Sequence, residues 1–144
     1  MVAQGSPWKQ WGVVNPHYTG LMHQYIGKNA LVIEDDDDIR GLLEIVLGQM
    51  GFTVAATETG QAGLDSARAV RPDLVTLDLG LPDMDGTAVL AALRGFHDGK
   101  VVVLSARGRQ PDIDSAMAGG ATAYLLKPFR PASLKDQLAA VLAD

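Results

Sequence analysis

The sequence of 144 residues contains no cysteine. Disulfide scaffolds, zinc–thiolate sites and thiol nucleophiles are therefore excluded, and a reducing compartment such as the cytoplasm is favoured. No apolar run approaches the ~20 residues of a membrane-spanning helix, and the amino terminus lacks the apolar segment of a signal peptide. Basic residues are few, since 12 Lys and Arg stand against 17 Asp and Glu for a net charge of −5. We therefore expect a cytoplasmic domain that binds neither nucleic acid nor membrane surfaces.

Composition divides the chain at about residue 28. The first 28 residues hold both tryptophans and no acidic residue. Apolar side chains at helical spacing predict a short amphipathic helix near residues 19–26: Tyr18, Leu21, Met22, Tyr25 and Ile26. Its apolar face would need cover, either from its own chain or from a second copy in a homodimer. The alternative is that residues 1–28 are a flexible or vector-derived leader.

Residues 29–144 alternate regularly between predicted strands and helices. Five short apolar runs begin 21 to 27 residues apart: Ala30–Ile33, Thr53–Ala56, Leu74–Leu77, Val101–Leu104 and Ala123–Leu126. This spacing leaves room for a helix between successive strands. Near-continuous apolarity predicts strands that are covered on both faces, as in a parallel sheet.

Apolar residues at helical spacing predict helices in the intervening segments. The first helix has its apolar face between Ile39 and Met50 and ends at Gly51, and the last has Ser133 as its candidate N-cap. The other three helices are predicted over Gln61–Val70, Thr87–Phe96 and Pro111–Ala118. Five strand–helix units with right-handed crossovers predict an open, doubly wound α/β sheet.

Polar side chains gather at the carboxyl ends of these predicted strands. The first strand runs into Glu34 and Asp35, and the third ends at Asp78. The fourth ends at Ser105 and the fifth at Lys127. The carboxyl ends of parallel strands share one edge of the sheet, and clustered carboxylates there favour a hard cation such as Mg²⁺. A metal ion, a carboxylate nucleophile and a lysine are the groups that phosphoryl transfer requires.

Motifs in these segments resemble the receiver domain of bacterial two-component response regulators. They follow the family's order over residues 29–144: Leu31-Val32-Ile33-Glu34-Asp35, Pro72-Asp73-Leu74-Val75-Thr76-Leu77-Asp78, Leu81-Pro82 with Asp85-Gly86, Val103-Leu104-Ser105-Ala106, and Tyr124-Leu125-Leu126-Lys127-Pro128-Phe129. The resemblance implies a flavodoxin-like (βα)5 fold with five parallel strands in the order 2-1-3-4-5. It also implies a signalling switch rather than an enzyme, with only self-phosphorylation and autodephosphorylation chemistry.

The same resemblance implies a phosphorylation site and a metal site. Asp78 would take a phosphoryl group from the phosphohistidine of a sensor histidine kinase or from a phosphotransfer protein. Mg²⁺, or alternatively Mn²⁺, would be held by Glu34, Asp35, Asp78 and the backbone carbonyl of Gly80.

Three further residues are implied to bind the phosphoryl group or to transmit its presence. Lys127 and Ser105 would bind the phosphoryl oxygens, and Tyr124 would change rotamer as Ser105 moves. The signal would reach a downstream protein, or a second copy of this chain, through the face formed by the fourth helix, the fifth strand and the fifth helix. The peptide bond between Lys127 and Pro128 would be cis.

Three positions depart from the commoner family pattern. Glu34 stands where Asp is commoner, and its longer side chain changes its reach toward the metal. Gly80 lies two residues after Asp78, and Arg107 lies two residues after Ser105. These last two positions are where family members tune the lifetime of the aspartyl phosphate.

Several of these residues also have purely structural interpretations. Asp36, Asp37 and Asp38 are expected to support a helix N-terminus, although a register shift would make Asp35 and Asp36 the metal-binding pair. Ser105 could instead cap a helix. Tyr124 could be a plain core aromatic, a role that is compatible with switching.

Two other functions fit parts of the sequence. A pseudo-receiver would have the same fold but act without phosphate, and the intact strand-end residues argue against it. Residues Asp83–Thr87 match the D-x-D-G-T motif of haloacid-dehalogenase-type phosphohydrolases, but Pro82 interrupts the strand that this motif must follow. The last predicted helix closes the chain, so we expect no DNA-binding domain in it, whether the protein is a single-domain regulator or the receiver of a longer one.

Overall fold

The computed structural model describes residues 24–143, which contain five strands and five helices in alternation. The strands are β1 (Asn29–Ile33), β2 (Thr53–Thr57), β3 (Leu74–Asp78), β4 (Lys100–Ser105) and β5 (Ala123–Leu126). The helices are α1 (Asp37–Gln49), α2 (Gly60–Val70), α3 (Gly86–Arg94), α4 (Gln110–Ala118) and α5 (Pro131–Leu142). None of these helices is long and apolar enough to cross a membrane.

The strands form one parallel sheet in the order β2-β1-β3-β4-β5, which confirms the predicted topology. The chain moves outward from β1 in one direction to β2, and in the other direction through β3 to β5. The connections therefore reverse direction between β1 and β3. Ligands bind beyond the carboxyl ends of the strands at such a reversal point, so the topology marks the ends of β1 and β3 as the candidate site.

Helices cover both faces of the sheet and divide the core into two layers. The first layer packs one face of the strands against α2, α3 and α4, and the second packs the other face against α1 and α5. Alternate residues of β1 enter opposite layers, since Leu31 and Ile33 join the first while Ala30 and Val32 join the second. The predicted cover on both faces is confirmed for β1, β3 and β4, whereas the edge strand β2 is half-buried because it has a neighbour on one side only.

The helix starts are set by caps, and one predicted cap is wrong. Asp36 caps α1, because its side chain accepts hydrogen bonds from the backbone N–H groups of Asp38 and Ile39. Helix α5 begins at Pro131 rather than after Ser133, so Ser133 lies inside the first turn. Proline is suited to a first helical position because its fixed φ is helical and its missing N–H would have no partner there.

The predicted helix near residues 19–26 lies mostly outside the described residues. Residues 24–27 form a turn that packs on the domain. Tyr25 stacks on Phe52 with ring centroids 4.9 Å apart, and its N–H donates to the carbonyl of Met50 at 3.2 Å. Gly51 has φ +108°, and a Cβ there would lie 2.9 Å from the Ile26 nitrogen, so this close approach requires glycine.

Candidate functional site

Three carboxylates meet at the carboxyl ends of β1 and β3. Glu34 and Asp35 follow the last residue of β1, and Asp78 is the last residue of β3. One carboxylate oxygen of each residue lies within 4.8 Å of those of the other two. Glu34 and Asp78 are buried and Asp35 is exposed, so the cluster opens to solvent on the Asp35 side.

Lys127 reaches this cluster from the end of β5. Its Nζ lies 2.9 Å from Oε1 of Glu34 and 3.1 Å from Oδ1 of Asp78. The backbone holds the lysine in place, because the Lys127 N–H donates to the carbonyl of Ser105 at 2.8 Å. The following peptide bond, to Pro128, is cis.

The environment separates the charge states of the buried groups. Burial raises the pKa of Glu34 to about 7, and the charge of Asp78 adds to this rise while Lys127 opposes it. Burial would also raise the pKa of Asp78, but the Gly80 N–H and the Lys127 ammonium outweigh it and lower that pKa. For Lys127 burial favours the neutral form, but Glu34 and Asp78 raise its pKa above the ordinary value. Asp78 is thus held ionised, whereas Glu34 is only partly ionised near neutral pH, because Lys127 does not fully offset its burial and the charge of Asp78.

The donor set of the cluster fits a divalent cation. When all three carboxylates are ionised, they exceed the single ammonium by two negative charges, and desolvation together with Asp78 raises the pKa of Asp35 as it does that of Glu34. Carboxylate oxygens around an open position suit Mg²⁺, which keeps several water ligands. The cluster opens into a cavity of about 430 Å³, whose lining includes Gly80, Ser105 and Arg107.

Gly80 lies beside Asp78 at the start of the loop that follows β3. Its N–H donates to Oδ1 of Asp78 at 3.1 Å. A Cβ on this residue would lie 3.8 and 3.9 Å from the two Asp78 carboxylate oxygens, which is ordinary contact distance. Glycine therefore leaves the Asp78 carboxylate open on this side.

The loop after β4 is held by two side chains that bind the same residue. Oγ of Ser105 accepts a hydrogen bond from the Arg107 N–H at 3.0 Å, and the Tyr124 hydroxyl donates to the Arg107 carbonyl at 2.7 Å. The N-cap position of α4 is Arg109, so Ser105 does not cap that helix. The ring of Tyr124 is half-buried against the first core layer.

Four of the remaining acids of the two acidic motifs have structural contacts. Asp36 caps α1, as expected, while Asp37 pairs with Arg40 at 2.6 Å. The aspartates of the D-x-D-G-T match cap two different helices. Asp83 accepts from the first two N–H groups of α2, and Asp85 accepts from the Thr87 N–H at the start of α3.

Sequence reasoning missed the contact of Asp83 with α2. The two N–H groups that Asp83 binds lie 22 and 23 residues earlier in the chain. The residue type was a usable signal, since Asp favours helix N-termini. Its position in a loop does not indicate which helix it caps.

Comparisons with known proteins agree with this geometry. The family described as the response regulator receiver domain matches residues 30–139. The KDP operon transcriptional regulatory protein KdpE of Escherichia coli is 42% identical over 114 residues, covering 79% of this chain and 51% of that protein. KdpE of Mycobacterium tuberculosis is 46% identical over 100 residues, covering 69% and 44%. The chain thus spans about half the length of these curated relatives.

Solved receiver structures have the same fold. The BeF3-activated N-terminal receiver domain of Klebsiella pneumoniae RstA is 29% identical with a TM-score of 0.73, over 81% of this chain and 99% of that one. The chemotaxis protein CheY4 of Vibrio cholerae is 26% identical with a TM-score of 0.74, over 79% and 98%. Sequence, topology and strand-end residues lead to one conclusion: this chain belongs to the family of response regulator receiver domains.

Proposed function

We propose that this receiver accepts a phosphoryl group on Asp78, in a reaction that depends on a divalent cation. The donor would be the phosphohistidine of a sensor histidine kinase or of a phosphotransfer protein in the cytoplasm. The observation that carries the proposal is an ionised Asp78 that lies within reach of Lys127 and two further carboxylates in one open cavity.

The chemistry follows from the charges around Asp78. A carboxylate oxygen of Asp78 forms a bond to phosphorus as the bond from phosphorus to the histidine nitrogen breaks, and the imidazole leaves with the electron pair. Lys127 is close enough to shift from Asp78 to the incoming phosphoryl oxygens, where it would offset their charge. Ser105 lines the same cavity, and its hydroxyl would donate to one of those oxygens.

Glu34, Asp35, Asp78 and the carbonyl of Gly80 would hold Mg²⁺, with Mn²⁺ as the alternative. The bound ion would reduce the repulsion between the Asp78 carboxylate and an anionic donor. Glu34 has a longer side chain than Asp35. Its carboxylate is oriented by the Asp36 N–H, which donates to its Oε2 at 3.2 Å. Asp35 is exposed and lies on the open side of the cluster.

Gly80 and Arg107 would set the lifetime of the aspartyl phosphate. Glycine at position 80 offers no side chain that shields the phosphoryl group from water. Arg107 lines the cavity and carries a positive charge. We propose that Gly80 lets water reach the phosphoryl group and that Arg107 attracts the negative charge of that group.

The output of the switch would be a protein contact on the face formed by α4, β5 and α5. Ser105 and Tyr124 both bind Arg107, so movement of Ser105 toward a phosphoryl group would disturb the contact of Tyr124 as well. On the same face Met117 and Leu126 are 42% and 46% exposed, which suits docking of a protein or of a second copy. The curated relatives are named as transcriptional regulators, and we propose that transcription is the process controlled here.

Mass spectrometry after incubation with acetyl phosphate and Mg²⁺ tests the proposal. The wild type should gain the mass of one phosphoryl group, and Asp78→Asn should gain none, because an amide is not a nucleophile of comparable strength. Asp85→Asn is the matched control, since Asp85 lies in the adjoining loop but caps α3. A chelator should abolish the gain in the wild type. A phosphoryl gain in Asp78→Asn would refute the acceptor assignment, and no gain in any variant with acetyl phosphate or kinase would favour a phosphate-independent pseudo-receiver.

A further inference from the structure

The loop between β3 and α3 presents Gly80 to the candidate site. Its two ends are closed on each other, because the Gly86 N–H donates to the carbonyl of Leu79 at 3.2 Å. A Cβ on Gly86 would lie 2.4 Å from the Leu79 Cα, so this closure is tight. Residues 80–84 therefore project from a fixed base, and their position depends on what holds the outer part of the loop.

Asp83 joins the outer part of the loop to the start of α2. Its Oδ1 accepts from the Gly60 N–H at 2.7 Å, and its Oδ2 accepts from the Gln61 N–H at 3.0 Å. These two hydrogen bonds lower the pKa of Asp83, so the carboxylate is charged near neutral pH. A negative charge at a helix N-terminus is also favoured by the helix dipole.

The same junction is closely packed. A Cβ on Gly60 would lie 2.8 Å from Cγ2 of Val89 and 3.1 Å from Sδ of Met84. In the part of the chain that the structure describes, the two bonds to Asp83 are the only hydrogen bonds that link residues 81–84 to another element. Asp83 thus supplies the hydrogen bonds that hold the loop over α2, and Met84 adds apolar packing at the same place.

Helix α2 has a separate cap of its own. Oγ1 of Thr59 accepts from the Ala62 N–H at 3.1 Å, as an N-cap side chain normally does. The Asp83 contact is therefore additional to the local cap, and it is the one that joins the helix to the loop carrying Gly80.

We infer that Asp83 is a positioning residue for the metal-binding side of the site, which it serves by holding the loop that carries Gly80 against α2. The inference rests on the proposed function, since the Gly80 carbonyl is a proposed ligand of the ion. Asp83 would not touch the ion itself. Its loss would let residues 80–84 move relative to Asp78 and would spread the positions available to the Gly80 carbonyl.

The test compares Asp83→Ala with Thr59→Ala, because both remove a cap from α2 but only Asp83 also holds the loop. The affinity of the unphosphorylated protein for Mg²⁺ is measured from the amide chemical shift of Gly80 in an NMR titration. Asp83→Ala should weaken binding by about tenfold, the lower range for loss of a residue that orients a ligand. Thr59→Ala should bind Mg²⁺ within roughly twofold of the wild type, since the proposed ligands and the loop that carries Gly80 are unchanged. Asp83→Asn keeps one acceptor oxygen, should give an intermediate affinity, and serves as the milder variant if Asp83→Ala does not fold.

A second measurement needs no metal. Amide hydrogen exchange in residues 80–84 should be faster in Asp83→Ala than in Thr59→Ala, while exchange at the far end of α2 should be similar in both. Equal Mg²⁺ affinity in Asp83→Ala and the wild type would overturn the inference, as would equal weakening in both variants. If the wild type itself binds no Mg²⁺, the proposed function fails, and the exchange comparison alone decides whether Asp83 positions the loop.

Discussion

Lys127 is placed to neutralise charge at the end of β1 and at the end of β3 at the same time. It contacts both Glu34, which is 1% exposed, and Asp78, which is also buried. A buried charge that loses its partner is strongly destabilising, whereas the intact pair contributes little net stability. We therefore interpret Lys127 as the group that allows these two carboxylates to lie close together, which the proposed metal and phosphoryl site requires.

Lys127→Ala should make the metal-free protein less stable by about 3 kcal/mol, because Glu34 and Asp78 lose their counter-charge. Mg²⁺ should raise the thermal midpoint of this variant by more than it raises that of the wild type, since the ion would supply the missing positive charge. Thermal unfolding with and without Mg²⁺ measures both effects. Lys28→Ala, at an exposed lysine, is the control. A smaller Mg²⁺ effect in Lys127→Ala than in the wild type would contradict this account of the site.

His97 is another buried titratable residue, at 7% exposure, and it precedes β4, at the edge of the sheet opposite the carboxylate cluster. Burial lowers its pKa below the ordinary 6.5, and the nearby Arg94 guanidinium adds to this effect. The backbone of Lys100 and the carboxylates of Asp98 and Asp73 oppose it. The folded protein therefore takes up a proton at His97 less readily than the unfolded chain does.

The stability contribution of His97 should be complete above pH 6.5 and should decline as the pH falls from 6.5 toward its lowered folded-state pKa. Glu34, whose folded pKa is raised, has the opposite effect between pH 7 and 4.5. The difference in unfolding free energy between the wild type and His97→Asn therefore isolates the contribution of the histidine. Denaturant unfolding of both, from about pH 8 to about pH 5, should show the wild type losing more stability than the variant. Parallel curves would mean that His97 does not resist protonation.

At the scale of elements, the local sequence pattern predicts the fold well. Strand β5 has the bounds predicted from its apolar run, and the other strands extend by one or two residues. The predicted N-cap of α5 at Ser133 is wrong, because the helix already begins at Pro131, whose fixed φ suits the first helical position. Contacts between distant segments are absent from any local pattern. The contact of Asp83 with α2 is one case, and the hydrogen bond from Arg94 to the carbonyl of Gly120, 26 residues later, is another.

The candidate site was predictable for a topological reason. Parallel strands bring their carboxyl ends to one edge, so residues that follow the strands are expected to meet. Glu34, Asp78 and Lys127 do meet there. The contacts of Arg107 with Ser105 and Tyr124 were not predictable, because they depend on the path of a loop rather than on a periodic element.

The loop after β4, which contains Arg107, gives a prediction at the scale of elements. Tyr124→Phe removes the hydrogen bond to the Arg107 carbonyl and leaves the ring in the core. Amide exchange in residues 106–109 should increase, whereas the free energy of unfolding should change by no more than about 1 kcal/mol. Hydrogen exchange and denaturant unfolding measure the two effects. The control is Ser115→Ala, an exposed position on α4. Unchanged exchange in Tyr124→Phe would show that the tyrosine does not hold the loop.

At the scale of the whole molecule, the packed unit extends beyond the family match. The match begins at residue 30, but Tyr25 already stacks on Phe52 and is bound to Met50. Lys28 is also hydrogen-bonded to the domain, since its carbonyl accepts from the Thr53 N–H at 3.0 Å. We therefore propose that the structural unit includes residues 25–28, which assigns the last part of the 1–28 extension to the receiver.

Two deletions test this boundary. Removing residues 1–23 keeps Tyr25, whereas removing residues 1–28 exposes Phe52 and breaks the stack and the bond to Met50. The longer deletion should therefore be less stable than the shorter one by about 2 kcal/mol, or roughly 8 °C in thermal midpoint. Tyr25→Phe in the full chain is the control and should keep most of the stability, because the stacked ring is retained. Light scattering on the same proteins tests the predicted homodimer, in which deleting residues 1–28 should lower the mass to that of one chain. Equal midpoints for the two deletions would place Tyr25 outside the folding unit and would return the boundary to residue 29.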